Sequence, residues 1–304
     1  MTAPRPAPFG RPTWADDIVS PAFDVLAPAR QTVPVVFASP HSGDYYPASF
    51  RAASRLDPTA LRRSEDAFMD ELYKSAPDLG APLIRARFPR AYVDPNREAW
   101  ELDPEMFTGA LPDTANTTSP RIAAGLGTIA KVVTNGENIY AGKLSVEEAL
   151  WRIETYYRPY HAALKGLLDA TYARFGCVLL IDCHSMPSIG GPMDRDPGLN
   201  RVDMVLGDAH GLACTPRITN RVKVALKNLG YRVLHNNPYA GGFTTRHYGQ
   251  PKRHRHALQI EVNRALYMNE DAITKNDTFT TLQTDISRLI EAIVAIGPKV
   301  LQEP

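Results

Sequence analysis

Leu179-Leu180-Ile181-Asp182-Cys183-His184-Ser185-Met186-Pro187 is the stretch that decides the fold. With Val178 it opens as a short apolar run, the pattern of a strand buried on both faces of a sheet. It then turns polar at Asp182, His184 and Ser185, and Pro187 and the Gly190-Gly191 pair follow. Open α/β sheets place their chemistry at the C-terminal ends of such strands. A second stretch has the same shape: Val33-Pro34-Val35-Val36-Phe37-Ala38, ended by Ser39-Pro40-His41-Ser42-Gly43. Two strands that each end in a His-Ser pair direct two imidazoles toward one point.

Outward from these stretches, strands are predicted over 83–86, 91–93, 203–207, 231–234 and 256–262, with a short β-like piece at 129–133. A helix is predicted from Asp57-Pro58, with Asp57 as N-cap and Pro58 in the first turn. Another covers 67–75, with Phe68, Leu72 and Tyr73 on one face. Ser145 with Glu148 forms a capping box for a long helix over 145–175, closed by Gly176 and kinked or split at Pro159. Further helices are predicted over 215–229 and 277–296. Strands alternating with helices imply an α/β fold, a mostly parallel sheet with helices on both sides. Residues 100–143 and 236–249 are predicted as loops, the second glycine-rich and carrying Arg246 and His247. Residues 1–30 hold Pro4, Pro6, Pro8, Pro12, Pro21 and Pro28 and are predicted to form an extended arm, docked through Trp14, Ile18, Phe23 and Val25. Residues 31–304 then form a single α/β domain.

Composition narrows the partners. A formal net charge of +1 over 304 residues leaves no footprint for nucleic acid or an anionic membrane. The three cysteines lack metal-type CxxC spacing, which fits a reducing compartment. No apolar run reaches the length of a membrane span, and no signal-peptide core precedes the domain, so a cytoplasmic location is expected. Glycines 241, 242 and 249 form no GxGxxG, and the Lys252–His256 cluster reads as a solvated basic loop.

The polar strand ends carry the candidate chemistry. His41 and His184 are candidate ligands for one metal. Catalytic zinc commonly takes two histidines and a carboxylate and keeps a position for water. Glu65 or Asp66 can supply the carboxylate. Glu261 is a candidate general base at another buried strand end. Arg97, with Asn96, is a candidate clamp for a carboxylate, because guanidinium matches it in a bidentate fork. Arg246 is a second candidate and Arg90 a weaker third. Asp182 can accept a hydrogen bond from a ligating imidazole and orient it.

Five motifs occur in one order. They are Ser39-Pro40-His41-Ser42-Gly43, Asp66 with Asp70-Glu71-Leu72-Tyr73, Val93-Asp94-Pro95-Asn96-Arg97, Asp182-Cys183-His184-Ser185, and Gln259-Ile260-Glu261-Val262-Asn263-Arg264. Over roughly residues 33 to 268 this set resembles the N-formylglutamate amidohydrolase family, itself related to zinc carboxypeptidases and aspartoacylases. The resemblance implies a three-layer α/β/α fold of the phosphorylase/hydrolase type, with a mostly parallel mixed sheet. It implies one zinc ion held by His41, an acidic residue near Asp66, and His184. It implies Glu261 as base and general acid, and Arg97 on a substrate carboxylate. The carboxypeptidase pattern has its acidic ligand three residues after the first histidine, where Asp44 stands here; Asp66 fits the family better, with Glu65 as the alternative. The expected activity is zinc-dependent hydrolysis of N-formyl-L-glutamate to formate and L-glutamate, a step of histidine breakdown, on a small-molecule substrate. Two alternatives accompany it: an amidohydrolase for another N-acyl amino acid, and a non-catalytic anion-binding module on the same fold.

Overall fold

The computed structural model describes residues 13–192 and 194–303. Its main element is a seven-stranded sheet. The strand order is Phe23–Leu26, Leu83–Ala86, Val35–Ser39, Val178–Met186, Arg255–Asn263, Met204–Gly207, Val233–His235. Four neighbouring strands, from Leu83–Ala86 to Arg255–Asn263, run parallel. Phe23–Leu26 closes one edge antiparallel. Met204–Gly207 pairs antiparallel with Arg255–Asn263 and parallel with Val233–His235. The sheet is therefore mixed and mostly parallel, as the strand–helix alternation predicts.

The two faces of the sheet follow from the period of two along each strand. Leu179, Ile181 and Cys183 enter one core with Leu258, Ile260 and Val262. That core is covered by the helices Pro216–Asn228 and Phe279–Val294 through Ile218, Leu226, Ile286 and Ile290. Val178, Leu180 and Ala257 enter the other core, against Tyr160, Leu164 and Leu168 of the helix Arg158–Phe175. Helices on both faces make the three layers. The same parity assigns Asp182 and His184 to the face of Val178 and Leu180, and Gln259 and Glu261 to the face of Ala257. In the parallel register His184 lies beside Glu261, and Asp182 beside Gln259.

Several local expectations change. Residues 91–93 form a turn, with Tyr92 and Val93 donating to the Pro89 carbonyl at 2.9 and 3.2 Å. Pro89 and Pro95 flank this segment, which leaves no room for a ladder, so its side chains enter the core without the backbone joining the sheet. Residues 129–133 contribute only a bridge between Val132 and Asn138. The 67–75 helix shrinks to Met69–Leu72, preceded by Phe68 at φ 64°. The 236–249 loop contains the helix Phe243–Tyr248. The long helix does not split at Pro159: a π-helical turn, Ile153–Tyr157, joins Val146–Arg152 to Arg158–Phe175 and takes up the site of the missing N–H. Ser145 caps it as predicted, accepting from the Glu148 amide at 3.1 Å. Asp57 likewise caps the helix Pro58–Leu61.

The proline-rich arm is only partly an arm. Its residues 1–12 lie outside the described residues, but Phe23–Leu26 is a sheet strand, held by the Phe23 ring edge-on to Tyr160 at 6.3 Å. Trp14 packs on Trp151 at 5.1 Å. In the Lys252–His256 cluster, Lys252 and Arg253 are exposed, whereas His256 is a buried strand residue whose Nε2 meets the Leu301 carbonyl at 2.9 Å. Cys177, Cys183 and Cys214 are buried and free. Among the described residues no helix is long and apolar enough to cross a membrane.

Candidate active site

Three chain segments deliver the central side chains. His41 follows the Val35–Ser39 strand, His184 stands within Val178–Met186, and Asp66 precedes the short helix Met69–Leu72. The Asp66 amide donates to the His41 carbonyl at 3.0 Å, which ties the two loops together. Asp66 Oδ2 lies 3.3 Å from His41 Nδ1 and 3.0 Å from His184 Nδ1. One donor atom from each of the three residues falls within 4.8 Å of the others, and all three residues are buried. Glu65 points elsewhere, to Arg62 at 2.8 Å and the Tyr46 hydroxyl at 3.1 Å. Asp44 is exposed. Between the acidic alternatives, the geometry therefore brings Asp66 to the histidines.

The outer ring nitrogens are braced by carboxylates. His41 Nε2 is 2.7 Å from Asp94 Oδ1, and His184 Nε2 is 3.0 Å from Asp182 Oδ1. Asn96 Nδ2 is 3.2 Å from His184 Nε2. The hydrogen bond to Asp94 fixes the tautomer of His41 and turns its other nitrogen toward a metal, the arrangement found around metal-ligating histidines, whereas Asp182 stands beside His184 as a charge. The free oxygen of Asp66 is fixed as well, accepting from Arg264 at 3.0 Å and Ser185 Oγ at 3.3 Å.

Charge explains the titration of this cluster. Burial alone would raise Asp66, but its bonds to His184 and His41 and the nearby Arg90 hold it well below the carboxylate range. Asp94 is also low: burial opposes this, and Arg97, His41 and Arg90 outweigh it. Burial pushes His184 down, yet Asp182, Asp66 and Glu261 bring it well above the usual imidazole value. Buried Asp66, Asp94 and Glu261 face the Arg90 guanidinium, with Arg97 beside Asp94 and Arg264 on Asp66. Two nitrogen donors and one carboxylate make a donor set that could hold a metal ion.

Glu261 stands beside this cluster. Burial pushes its carboxyl up to about 7; Asp66 adds to the rise, and His184, Arg90 and Arg264 oppose it. Arg264 does not pair with it but turns to Asp66, Ser185 and the Arg63 carbonyl. Glu261 Oε1 instead accepts from Gln259 Nε2 at 2.8 Å, and Gln259 Oε1 accepts from the Gly242 amide at 2.8 Å.

A cavity of about 410 Å³ opens over His41, His184 and Glu261, walled by Asn96, Arg97 and Tyr239. A cleft of about 490 Å³ elsewhere, beside Asp103 and Lys131, has no such cluster, and its Lys131 is already paired with Asp103 and Glu105. The predicted arginines reach the active cavity in different states. Arg97 donates from Nε to Leu126 O at 2.8 Å and from Nη1 to Asn96 O at 2.9 Å, with Nη2 3.7 Å from Asp94. Its fork is largely committed to the scaffold, and burial lowers it to about 10. Arg90 pairs with Asp94 at 2.9 Å. Arg246 is exposed and lines the cavity. The Asn96 side chain accepts from Thr244 N at 2.8 Å, and Gly242 lets it pass: a Cβ there would stand 2.3 Å from Asn96 Nδ2.

Sequence reasoning missed Asp94, Arg264, Gln259 and Arg195. Two of them carried a signal. Gln259 precedes Glu261 by two, as Asp182 precedes His184, so each pair shares one face of its strand. Asp94 sits in the same polar stretch as Asn96 and Arg97. Arg264 closes the Gln259–Arg264 motif but its partners, Asp66 and the Arg63 carbonyl, come from a distant loop, and Arg195 carried no mark at all.

Comparison with known proteins gives these residues a family context. The family model for N-formylglutamate amidohydrolase matches residues 33–268. The chain is 31% identical over 278 residues to the N-formylglutamate deformylase of Pseudomonas putida, covering 90% of this chain and 97% of that one. It is 31% identical over 281 residues to the protein of that name from Pseudomonas aeruginosa, with the same coverage. The crystal structure of N-formylglutamate amidohydrolase from Ralstonia eutropha superimposes with a TM-score of 0.83 at 36% identity, covering 91% of this chain and 99% of that one.

Proposed function

The chain belongs to the N-formylglutamate amidohydrolase family, and on that premise we propose that it hydrolyses N-formyl-L-glutamate to formate and L-glutamate with a zinc ion at His41, Asp66 and His184. The observation that carries the metal is the double bracing of the imidazoles. Both Nδ1 atoms meet at Asp66, and both Nε2 atoms back onto carboxylates, Asp94 and Asp182. When bound, the ion supplies Lewis acidity, polarising a carbonyl and making water a better nucleophile.

The chain's own residues do the rest. Glu261, with a carboxyl near neutrality, takes a proton from the attacking water and returns one to the nitrogen of the departing glutamate. Asn96 and the unpaired cationic groups lining the cavity, Arg246 among them, receive substrate carboxylates and so turn the scissile amide toward Glu261, while Arg97 holds the Asn96 loop.

The test is a panel of N-formyl-L-glutamate, N-formyl-L-glutamine, N-formyl-L-leucine and N-acetyl-L-glutamate, assayed for amine release with and without chelator. N-formylglutamate should be the best substrate, chelator should abolish turnover, and zinc should restore it. Faster release from the acetyl compound would make the protein an amidohydrolase of another N-acyl amino acid. Binding without hydrolysis would make it an anion-binding module.

A further inference from the structure

A blocked dicarboxylic amino acid brings two negative charges into the cavity and no positive one. Arg90, Arg97 and Arg264 face that cavity already engaged with Asp94, Asp66 and backbone carbonyls. Among the described residues, two lining arginines have no side-chain partner, Arg246 and Arg195. Arg195 belongs to a strap, residues 187–192 and 194–201, whose Pro187, Asp194 and Arg195 line the cavity.

The strap is fastened on both sides of Arg195. Ser188 N donates to the Glu270 carboxylate at 3.1 and 3.2 Å. Gly190 N bonds Leu199 O at 3.0 Å, and Gly198 N bonds Gly190 O at 2.8 Å, which closes the strap on itself. Buried Arg201 reaches back to Asp194 at 2.7 Å and Asp196 at 2.8 Å. The Tyr239 hydroxyl, in the cavity wall, donates to Asp194 at 3.2 Å. Both acidic neighbours of Arg195 are thus turned to Arg201, while Arg195 itself has no side-chain partner among the described residues. A fixed backbone carrying a free guanidinium is a preorganised anion site, which lowers the ordering cost of binding.

The two free arginines divide the two carboxylates. Arg246 is one helical turn from Gly242 and two residues from Thr244, whose amide Asn96 holds, and Asn96 touches His184. It hangs from the metal cluster. The strap of Arg195 hangs from Tyr239, Arg201 and Glu270, none of which touches a histidine of the cluster. In an N-acyl glutamate the α-carboxylate carbon is two bonds from the scissile nitrogen and the side-chain carboxylate carbon is four bonds out. We propose that Arg195 is the specificity residue that holds the substrate's side-chain carboxylate, with Arg246 serving the α-carboxylate. This assignment rests on the reading of the site as an N-formylglutamate hydrolase.

The experiment compares kcat/KM for N-formylglutamate and N-formylglutamine in wild type, Arg195→Gln, Arg195→Lys and Arg246→Gln. N-formylglutamine keeps the shape and loses only the side-chain charge. Wild type should favour N-formylglutamate. Arg195→Gln should lose about ten- to hundredfold on N-formylglutamate, the worth of a hydrogen bond to a charged group, and far less on N-formylglutamine, so that the preference collapses. Arg195→Lys should recover part of it. Arg246→Gln should weaken both substrates alike. If Arg195→Gln keeps the wild-type preference, the Arg195 assignment is wrong and the proposed function stands. If wild type itself shows no preference for N-formylglutamate, the functional reading falls and the assignment goes with it. Arg195 is exposed and unpaired, so its replacement leaves the fold intact.

Discussion

The inner nest and the outer mouth of the cavity use charge in opposite ways. Around His41 and His184 nearly every polar atom is held by another side chain: Asp66 by two histidines, Ser185 and Arg264, Asp94 by His41 and Arg90. At the mouth, Arg195 and Arg246 have no side-chain partner among the described residues. The difference is one of task. An imidazole that is to ligate a metal must be fixed before the ion arrives, so its carboxylate braces are part of the protein. A guanidinium that is to recognise a carboxylate must keep its donors free, because a protein partner would compete with the ligand. Arg97 lies between these extremes. It belongs to the cavity wall, but its fork is mostly committed to Leu126 O and Asn96 O. It shapes the Asn96 loop at least as much as it offers donors to a substrate.

The sharpest way to break this division is at the nest. His184→Ala removes one of two nitrogen donors and leaves Asp66 and Asp182 under-compensated. Bound metal and amine release should both vanish in a protein that remains folded by circular dichroism. Stoichiometric metal in that variant, measured by elemental analysis, would show that the nest is an ion-pair network and not a ligand set. Glu261→Gln is the next largest change. It keeps the volume and the Gln259 contact but cannot carry the proton. Metal content should be unchanged and kcat should fall by roughly 10²–10⁴, the usual worth of a general base. Near-native kcat would move the base out of the nest.

The nest was more legible in the sequence than the mouth. His41, His184 and Glu261 each end or lie in an apolar run, and a buried strand leaves its polar residues few places to point. The strand ends therefore suggested that the two histidines meet and offered Glu261 as a base, and the family resemblance chose this over unrelated polar residues. Asp66 was preferred to adjacent Glu65 on the family pattern, with Glu65 as the alternative; in the structure Asp66 meets both histidines while Glu65 turns to Arg62 and Tyr46. The strand at 91–93 failed because side-chain hydrophobicity reports burial and not ladder bonding, and two prolines flank that segment. The Phe23–Leu26 edge strand was hidden among prolines, which edge strands tolerate. Arg195 was invisible for another reason. Its value lies in what it lacks, a partner, and that follows from Arg201 taking both neighbouring aspartates.

Gln259 offers the finest test, because it joins the two regions. Its Nε2 donates to Glu261 in the nest, and its Oε1 accepts from Gly242 at the start of the helix that carries Arg246. Opposite it on the antiparallel neighbour stands Gly207, where a Cβ would lie 2.7 Å from Gly241 N. The 240–242 backbone can thus lie close over the sheet and reach Gln259. Gln259→Leu preserves the approximate bulk and removes both bonds. The lost bond to Glu261 should cost about 0.5–1.5 kcal/mol in the transition state, or roughly two- to twelvefold in kcat. Gln259 bonds to none of the three metal donors, so metal content should hold. The split between kcat and KM then reads the coupling. If Gln259 acts only on the base, kcat falls and KM for N-formylglutamate stays. If the bond to Gly242 also sets the helix of Arg246, KM rises as well, and it rises equally for N-formylglutamine, because the α-carboxylate is common to both. A variant with wild-type kcat and KM would show that nest and mouth are independent, and that Glu261 is held by its strand without help from its neighbour.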